Sequence, residues 1–272
     1  MPPELSATPR FELGRLITVF ACDIDGCLAA PAHADYELGP LARMAELNGR
    51  SAADQTVPAL TLVTGRPHAY VDAVTQLLAI DLPVSFENGA GLATRRPYRA
   101  WLAPEAAAGA AAMRAFARIV EGEERLVLQP GKLASLSVFA AGAAASDSSQ
   151  GGQDPQESLD ALEVTVRELL RRNGLDLRVD PSTDCINVLL PGVDKASGFL
   201  GLCREIGVEP SAVAGIGDSV GDAGWLKLAG IGVAPANAVP QAKAAADHVI
   251  ALNDVHAALA AYEALIEANR RI

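Results

Sequence analysis

The 272-residue chain is predicted to be an α/β protein, a doubly wound and mostly parallel sheet carrying an inserted α+β domain. Three observations lead there. Short apolar runs alternate with amphipathic stretches from residue 16 onward, the same rhythm returns near the end, and the pattern changes in between. Half of the residues are apolar and only 4% are aromatic, which suits helices packed on a sheet better than an aromatic-rich sandwich.

In chain order, LITVFACDI reads as a strand, ELGPLARMAELNG as a helix, ALTLVTG as a strand, PHAYVDAVTQLLA as a helix and LPVSFENG as a strand. That alternation means βαβ units and parallel pairing. Residues 92–192 read instead as helix PEAAAGAAAMRAFARIV, strands RLVLQ and LASLSVF, helix SLDALEVTVRELLRRN, and strands LDLRVD and CINVLL, a domain of its own. The α/β rhythm then resumes with helix SGFLGLCREIG, strand AVAGIGDS, helix DAGWLKLAG, strand IGVAPA and a closing helix VHAALAAYEALIEANR. The expected division is therefore a core of residues 1–91 and 193–272 around an insert of 92–192. Within the insert, a polar stretch at about 141–157 has little to bury and is expected to be a mobile loop.

Several function classes are disfavoured. With a net charge of −11 and no basic stripe, the chain would be repelled by a nucleic-acid backbone. No stretch supplies about 18 uninterrupted apolar residues, and the start MPPELSATPRFELGRL has charges and prolines where a secretory signal is apolar, so the expectation is a cytoplasmic protein with no membrane partner. Cys22, Cys27, Cys185 and Cys203 form no C-x-x-C pair and are expected to be reduced thiols. His33, His68, His248 and His256 lack zinc-ligand spacing and are expected in ordinary surface or core roles. The patterns for dinucleotide and nucleoside triphosphate loops are absent.

Four short signatures each follow a predicted strand, and in a doubly wound sheet such ends converge on one crevice. Asp23 and Asp25 in DIDG lie two apart, which puts both carboxylates on one side of an extended chain. Close carboxylates repel without a proton or cation, and a hard ion such as Mg2+ would satisfy them. Thr64, Gly65 and Arg66 follow ALTLV, where a hydroxyl and free backbone N–H groups suit a phosphate oxygen; an ordinary helix N-cap at Thr64 fits equally well. Lys195 opens a helix in GVDKASGF, where an ammonium can neutralise Asp23 and a transferring phosphoryl group, or simply be solvated. Asp218 and Asp222 lie on the glycine-rich turn GDSVGD, as metal-site acids or merely as a capped connection.

DIDG, the Thr64 of VTGR, Lys195 and GDSVGD together resemble the four motifs of the haloacid dehalogenase superfamily, and the resemblance spans nearly the whole chain. An insert between FENGAGL and GVDKASGF is similar to the branch with an α+β cap between the second and third motifs, which includes many sugar-phosphate phosphatases. The resemblance implies a Rossmann-like core and a Mg2+-dependent phosphatase of a small phosphorylated metabolite. In it Asp23 is the nucleophile that becomes phosphorylated, and Asp25 protonates the leaving alcohol and then activates water. The metal is held by Asp23, the Asp25 carbonyl and Asp218 with support from Asp222, while Thr64 and Lys195 hold phosphoryl oxygens. The second aspartate, which the dehalogenases lack, favours phosphorus chemistry. Two departures stand out: Cys27 where threonine is usual, and Gly221 where asparagine is usual.

Glu87 and Asn88 in FENGAG, with Arg66, are candidate substrate contacts, and Arg95, Arg96 and Arg99 are candidates to receive an anionic leaving group. Two alternatives remain open at this stage, a sugar phosphomutase and a weakly catalytic protein that binds a phospholigand for regulation.

Overall fold

The computed structural model describes residues 9–30, 35–141, 155–182 and 184–272. His33 and most of the loop expected at 141–157 lie outside the described residues. The chain divides into two compact units, one running up to Trp101 and resuming at Asp194–Ile272, the other comprising Leu102–Val193.

In chain order the elements are β1 Val19–Cys22, α1 Leu38–Asn48, β2 Ala59–Leu62, α2 His68–Leu77, β3 Val84–Phe86, β4 Gly91–Thr94 and β5 Arg99–Leu102. Then follow α3 Pro104–Glu121, β6 Leu126–Leu128, β7 Leu136–Ala140, α4 Pro155–Arg172, β8 Arg178–Pro181 and β9 Ile186–Leu189. The chain closes with α5 Lys195–Ile206, β10 Val213–Ile216, α6 Ala223–Leu226, β11 Ile231–Ala234, α7 Pro240–Ala245, β12 His248–Val249 and α8 Asp254–Asn269.

The first unit is built on a five-stranded sheet in the order β12-β11-β10-β1-β2, parallel throughout. From β1 the chain first moves outward to β2 and later returns to the other side of β1 to form β10. The C-terminal ends of β1 and β10 therefore flank the point where the winding reverses, the usual place for a ligand crevice. Strand β1 is buried along its whole length, as a parallel strand covered on both faces must be. Its period-two alternation sends Val19 and Ala21 to one face, into a cluster with Phe199, Leu202, Trp225 and Leu226. Phe20 points the other way and stacks on Tyr262 of α8, ring centroids 5.5 Å apart.

A second sheet in this unit, β3-β4-β5, is joined to β2 through an isolated parallel bridge between Val63 and Ser85. Because β4 and β5 belong to this sheet, the unit boundary falls at Trp101, about ten residues later than the residue 92 expected from the sequence. The expected helix over DAGWLKLAG contracts to the four residues of α6, preceded by a single 3-10 turn at Val220–Asp222, while α7 and β12 are additional elements.

The second unit is a four-stranded antiparallel sheet, β6-β7-β9-β8, with α3 and α4 packed on it. Helix α3 buries Ala106, Met113, Phe116 and Val120, a stripe at helical spacing. Helix α4 begins at Pro155, so residues 155–157 of the expected loop are helical. No helix among the described residues is long and apolar enough to cross a membrane.

The two ends of the first unit are locked by Asn269, which is 2% exposed. Its side chain accepts from the Ile17 N–H and donates to the carbonyls of Ile17 and Thr56, at 3.0, 2.8 and 3.0 Å. Asn269→Ala should lower the unfolding free energy by about 2–3 kcal/mol in urea titrations, because those backbone groups lose their partner where water does not reach.

Candidate active site

Asp23 is the first residue beyond β1, and its N–H still extends the ladder to the Ile216 carbonyl of β10 (3.0 Å). Beyond it the chain is not extended. The N–H groups of Cys27, Leu28 and Ala29 all turn back onto the Ile24 carbonyl, and Gly26 sits at φ +75°. This curl, rather than strand alternation, directs Asp23 and Asp25. Only glycine serves at position 26: a Cβ there would strike the Asp218 carboxylate, in addition to the cost of the left-handed backbone. The close approach of this turn to Asp218 brings the first and fourth motifs together.

Lys195 is the first residue of α5, whose start is defined by a capping box in which the Ser197 N–H donates to Asp194 (2.8 Å) and the Asp194 N–H donates to the Ser197 hydroxyl (3.0 Å). The helix is seated by a contact of backbone on backbone, since a Cβ on Gly198 would meet Gly89 Cα and the Ser85 hydroxyl. So placed, the ammonium is not solvated: its side chain is 6% exposed, and Nζ donates to Asp23 Oδ2 (2.5 Å) and Asp222 Oδ1 (2.8 Å). Burial opposes its charge, yet Asp222 and Asp23 carry its pKa above the ordinary lysine range.

Asp222 is fully buried and saturated. Its Oδ2 accepts from the N–H groups of Asp218 (3.2 Å) and Ser219 (2.9 Å) and from the Ser219 hydroxyl (2.5 Å), while Oδ1 accepts from Trp225 Nε1 (2.8 Å) as well as Lys195. It is both a turn cap and an anchor for the lysine. Burial works against its ionisation, but Lys195 and these donors hold its pKa below the usual carboxylate value.

Asp23, Asp218 and Asp222 place carboxylate oxygens within 4.8 Å of one another. One ammonium does not balance three acids. Burial, with the neighbouring carboxylates, pushes Asp23 up to about 7 despite Lys195, and pushes Asp218 up to about 8. The Asp25 carboxylate lies outside this cluster and has its own cation: Arg66 Nε donates to Asp25 Oδ2 at 2.7 Å, and Arg66 Nη2 donates to Oδ1.

Thr64 is not a helix cap, because α2 starts at His68 after Pro67; its hydroxyl instead accepts the Arg66 N–H at 3.2 Å. The Asn88 N–H donates to the Thr64 carbonyl (2.9 Å), and the Glu87 N–H to the Arg66 carbonyl (3.1 Å), so the second motif and the FENGAG turn form one backbone unit. Glu87 and Asn88 both adopt positive φ, at 50° and 56°. Gly65 lies under the Asn88 amide, leaving 2.9 Å between a Cβ and Asn88 Oδ1. The Asn88 Nδ2 is buried with no hydrogen-bond partner, an orphaned donor beside Thr64 and Gly65. Glu87 is fully buried.

Cys27 Sγ reaches Asp218 Oδ1 only at 4.0 Å, the outer limit for a thiol contact. At Gly221 the nearest atoms to a Cβ are Ser219 Oγ at 3.7 Å and Lys195 Cδ at 4.0 Å, so a side chain has room there. Of the distal arginines, Arg95 is tied to Asp81 (2.6 Å), Arg96 is exposed beside the same carboxylate at 4.0 Å, and Arg99 lies over the Trp101 ring at 5.1 Å. All four cysteines are free and buried. His68 lies against the rings of Phe86 and Tyr98, His248 meets Phe11 edge-on, and His256 bonds Glu37.

Sequence reasoning missed three partners: Trp225, Ser219, and the Arg66 to Asp25 pairing. The first two have a sequence signal in retrospect, lying three residues on either side of Asp222 where a tight turn and a helical turn bring them back.

Residues 155–262 match the family described as haloacid dehalogenase-like hydrolase. A phosphoglycolate phosphatase of Methanococcoides burtonii is 27% identical over 254 residues, covering 91% of this chain and 96% of the relative. The crystal structure of Thermoplasma acidophilum 0175 superposes with a TM-score of 0.67 at 19% identity, over 92% of this chain and 99% of the other. A sucrose-phosphatase from Synechocystis sp. PCC6803, solved with sucrose and phosphate, gives a TM-score of 0.63 at 17% identity, over 92% and 98%. These structures share the fold. The match to haloacid dehalogenase-like hydrolases thus covers the part of the chain that carries Lys195, Asp218 and Asp222, and the Methanococcoides relative extends the similarity over most of the chain. The second unit, Leu102–Val193, is inserted in the chain between Thr64 and Lys195.

The raised carboxylates give a pH prediction. In the metal-free protein Asp23 and Asp218 retain protons that the unfolded chain releases near pH 4, so their contribution to stability is lost as pH rises from about 4 to about 8. A divalent cation held by these carboxylates would displace those protons. The rise in melting temperature on adding Mg2+ should therefore be larger at about pH 8.5 than at about pH 5.5 in thermal-shift measurements.

Proposed function

We propose that the protein is a Mg2+-dependent phosphatase of a small phosphorylated metabolite, working through an aspartyl-phosphate on Asp23. The observation that carries this is the segregation of the carboxylates: Asp23 is buried on Lys195 beside Asp218 and Asp222, while Asp25 is held separately on Arg66. A nucleophile and an acid/base group need to reach the same ester yet be differently paired, and two aspartates two residues apart with separate cations suit both needs.

Asp23 attacks phosphorus as the bond to the ester oxygen breaks, and Asp25 gives the leaving oxygen its proton. A water that yields a proton to Asp25 then attacks the phosphorus, releasing phosphate and restoring Asp23. Such transfers depend mainly on positioning and charge neutralisation. Lys195 supplies positive charge next to Asp23. The Thr64 hydroxyl, the Gly65 N–H and the orphaned Asn88 amide are donors for the phosphoryl oxygens, and Asn88 Nδ2 would gain a partner there.

Mg2+ fits the donor set, which is all oxygen and carries excess negative charge. Asp23, Asp218 and the Asp25 carbonyl would hold it, and Asp222, whose oxygens are occupied by Lys195, Trp225 and Ser219, would orient its neighbours. When bound it supplies charge neutralisation to the phosphoryl oxygens. The name of the Methanococcoides relative supports 2-phosphoglycolate as a substrate to test, and that of the Synechocystis structure supports sugar phosphates. Choice among them is proposed to lie in the inserted unit, which carries none of the four motifs.

The test is phosphate release from p-nitrophenyl phosphate, 2-phosphoglycolate and a panel of sugar phosphates, with Mg2+ and with excess chelator. Wild type should turn over only with metal, and Asp23→Asn should lose at least about 1,000-fold in kcat while still folding. Unchanged turnover by Asp23→Asn would refute the covalent mechanism. In the same assay Gly221→Asn, which has space to fit, should fold normally, with any change confined to turnover.

A further inference from the structure

We propose that Arg66 is the positioning residue for Asp25, a dedicated cation that aims the acid/base carboxylate while Lys195 holds the nucleophile. This rests on the phosphatase reading of the site. Asp25 follows the curl at Asp23 and precedes a glycine in the left-handed region, and its side chain is 37% exposed. A carboxylate so placed has little packing to choose its rotamer. Among the described residues Arg66 is the one group bonded to its oxygens, and it takes both, through Nε and Nη2. A planar fork that engages both oxygens sets the direction and the tilt of a carboxylate, which a lysine, a point donor, does not.

The guanidinium is itself held. It lies over the Tyr70 ring, 4.6 Å from its centroid, and the Tyr70 hydroxyl is 2.7 Å from that of Tyr36. Its own backbone is pinned on both sides, the N–H to the Thr64 hydroxyl and the carbonyl to the Glu87 N–H. The Arg66 side chain is only 17% exposed, so its fork is ordered by aromatic packing rather than by solvent. The turn that carries Thr64 and the loop that carries Asp25 are thus joined by a rigid strut, and a pair this well oriented is worth more as geometry than as stability.

A role through Asp25 differs from substrate binding in what it does to leaving groups. An alkoxide needs the proton from Asp25; p-nitrophenolate does not. Comparing kcat/KM, which covers steps only up to transfer onto Asp23, Arg66→Gln should lose at least about 30-fold on the best alkyl phosphate of the panel and about threefold or less on p-nitrophenyl phosphate. Asp25→Asn should show the same split, Arg66→Gln should add nothing in the Asp25→Asn background, and Arg66→Lys should recover little.

Equal losses on the two esters, or a further loss in the Asp25→Asn background, would overturn the proposal in favour of substrate binding or a structural role. A crystal structure of Arg66→Gln tests it without catalysis. The Asp25 carboxylate should turn away from its wild-type position, and finding it unmoved would refute positioning even if wild type hydrolysed every ester. Absence of any metal-dependent hydrolysis by wild type would instead sink the phosphatase reading, leaving the crystallographic arm to decide on Arg66.

Discussion

One buried ammonium holds the catalytic unit in its shape. Lys195 sits between Asp23 and Asp222 with almost no exposure, and those two carboxylates come from opposite sides of the reversal point in the sheet. Loss of the ammonium would leave two acids buried and facing each other, a penalty of about 3–5 kcal/mol when one member of such a group is removed. Much of the local structure serves to place that nitrogen: the capping box at Asp194 and Ser197 sets where α5 begins, and the contact of Gly198 on Gly89 sets how close the helix comes.

The same balance gives two aspartates so close in sequence different surroundings. Asp23 shares Lys195 with a saturated Asp222 and has Asp218 beside it, so the local charge is negative and invites a cation. Asp25, two residues on, is turned outward by the curl around Ile24 and meets a guanidinium instead. Each of the two acids thus has a different cation, Lys195 for Asp23 and Arg66 for Asp25.

The regular elements were legible where the pattern was long. The buried runs of β1, β2 and β10 and the amphipathic α3 read directly, because a strand covered on both faces is apolar throughout and a helix repeats every three or four residues. Short elements were not. Strand β4 alternates only over four residues, β5 is exposed in its first half, and both were taken with the insert. Helix α6 lost most of its expected length beyond Leu226, where residues 227–230 form turns and bends, and its first residue to a 3-10 turn in which Asp222 accepts from Ser219 and Asp218.

The sequence by itself determined the order of elements, the insertion, and which residues stand at the ends of β1, β2 and β10, because hydrophobic period and turn chemistry are local properties. It also supplied the acids and the lysine of the site. Only the tertiary structure decided their pairing. Whether Lys195 is solvated or buried and which cation takes Asp25 both depend on contacts between residues far apart in the chain, from 27 positions for Lys195 and Asp222 to 172 for Lys195 and Asp23. Charge interactions are set by distance and burial, and neither quantity is written in a local pattern.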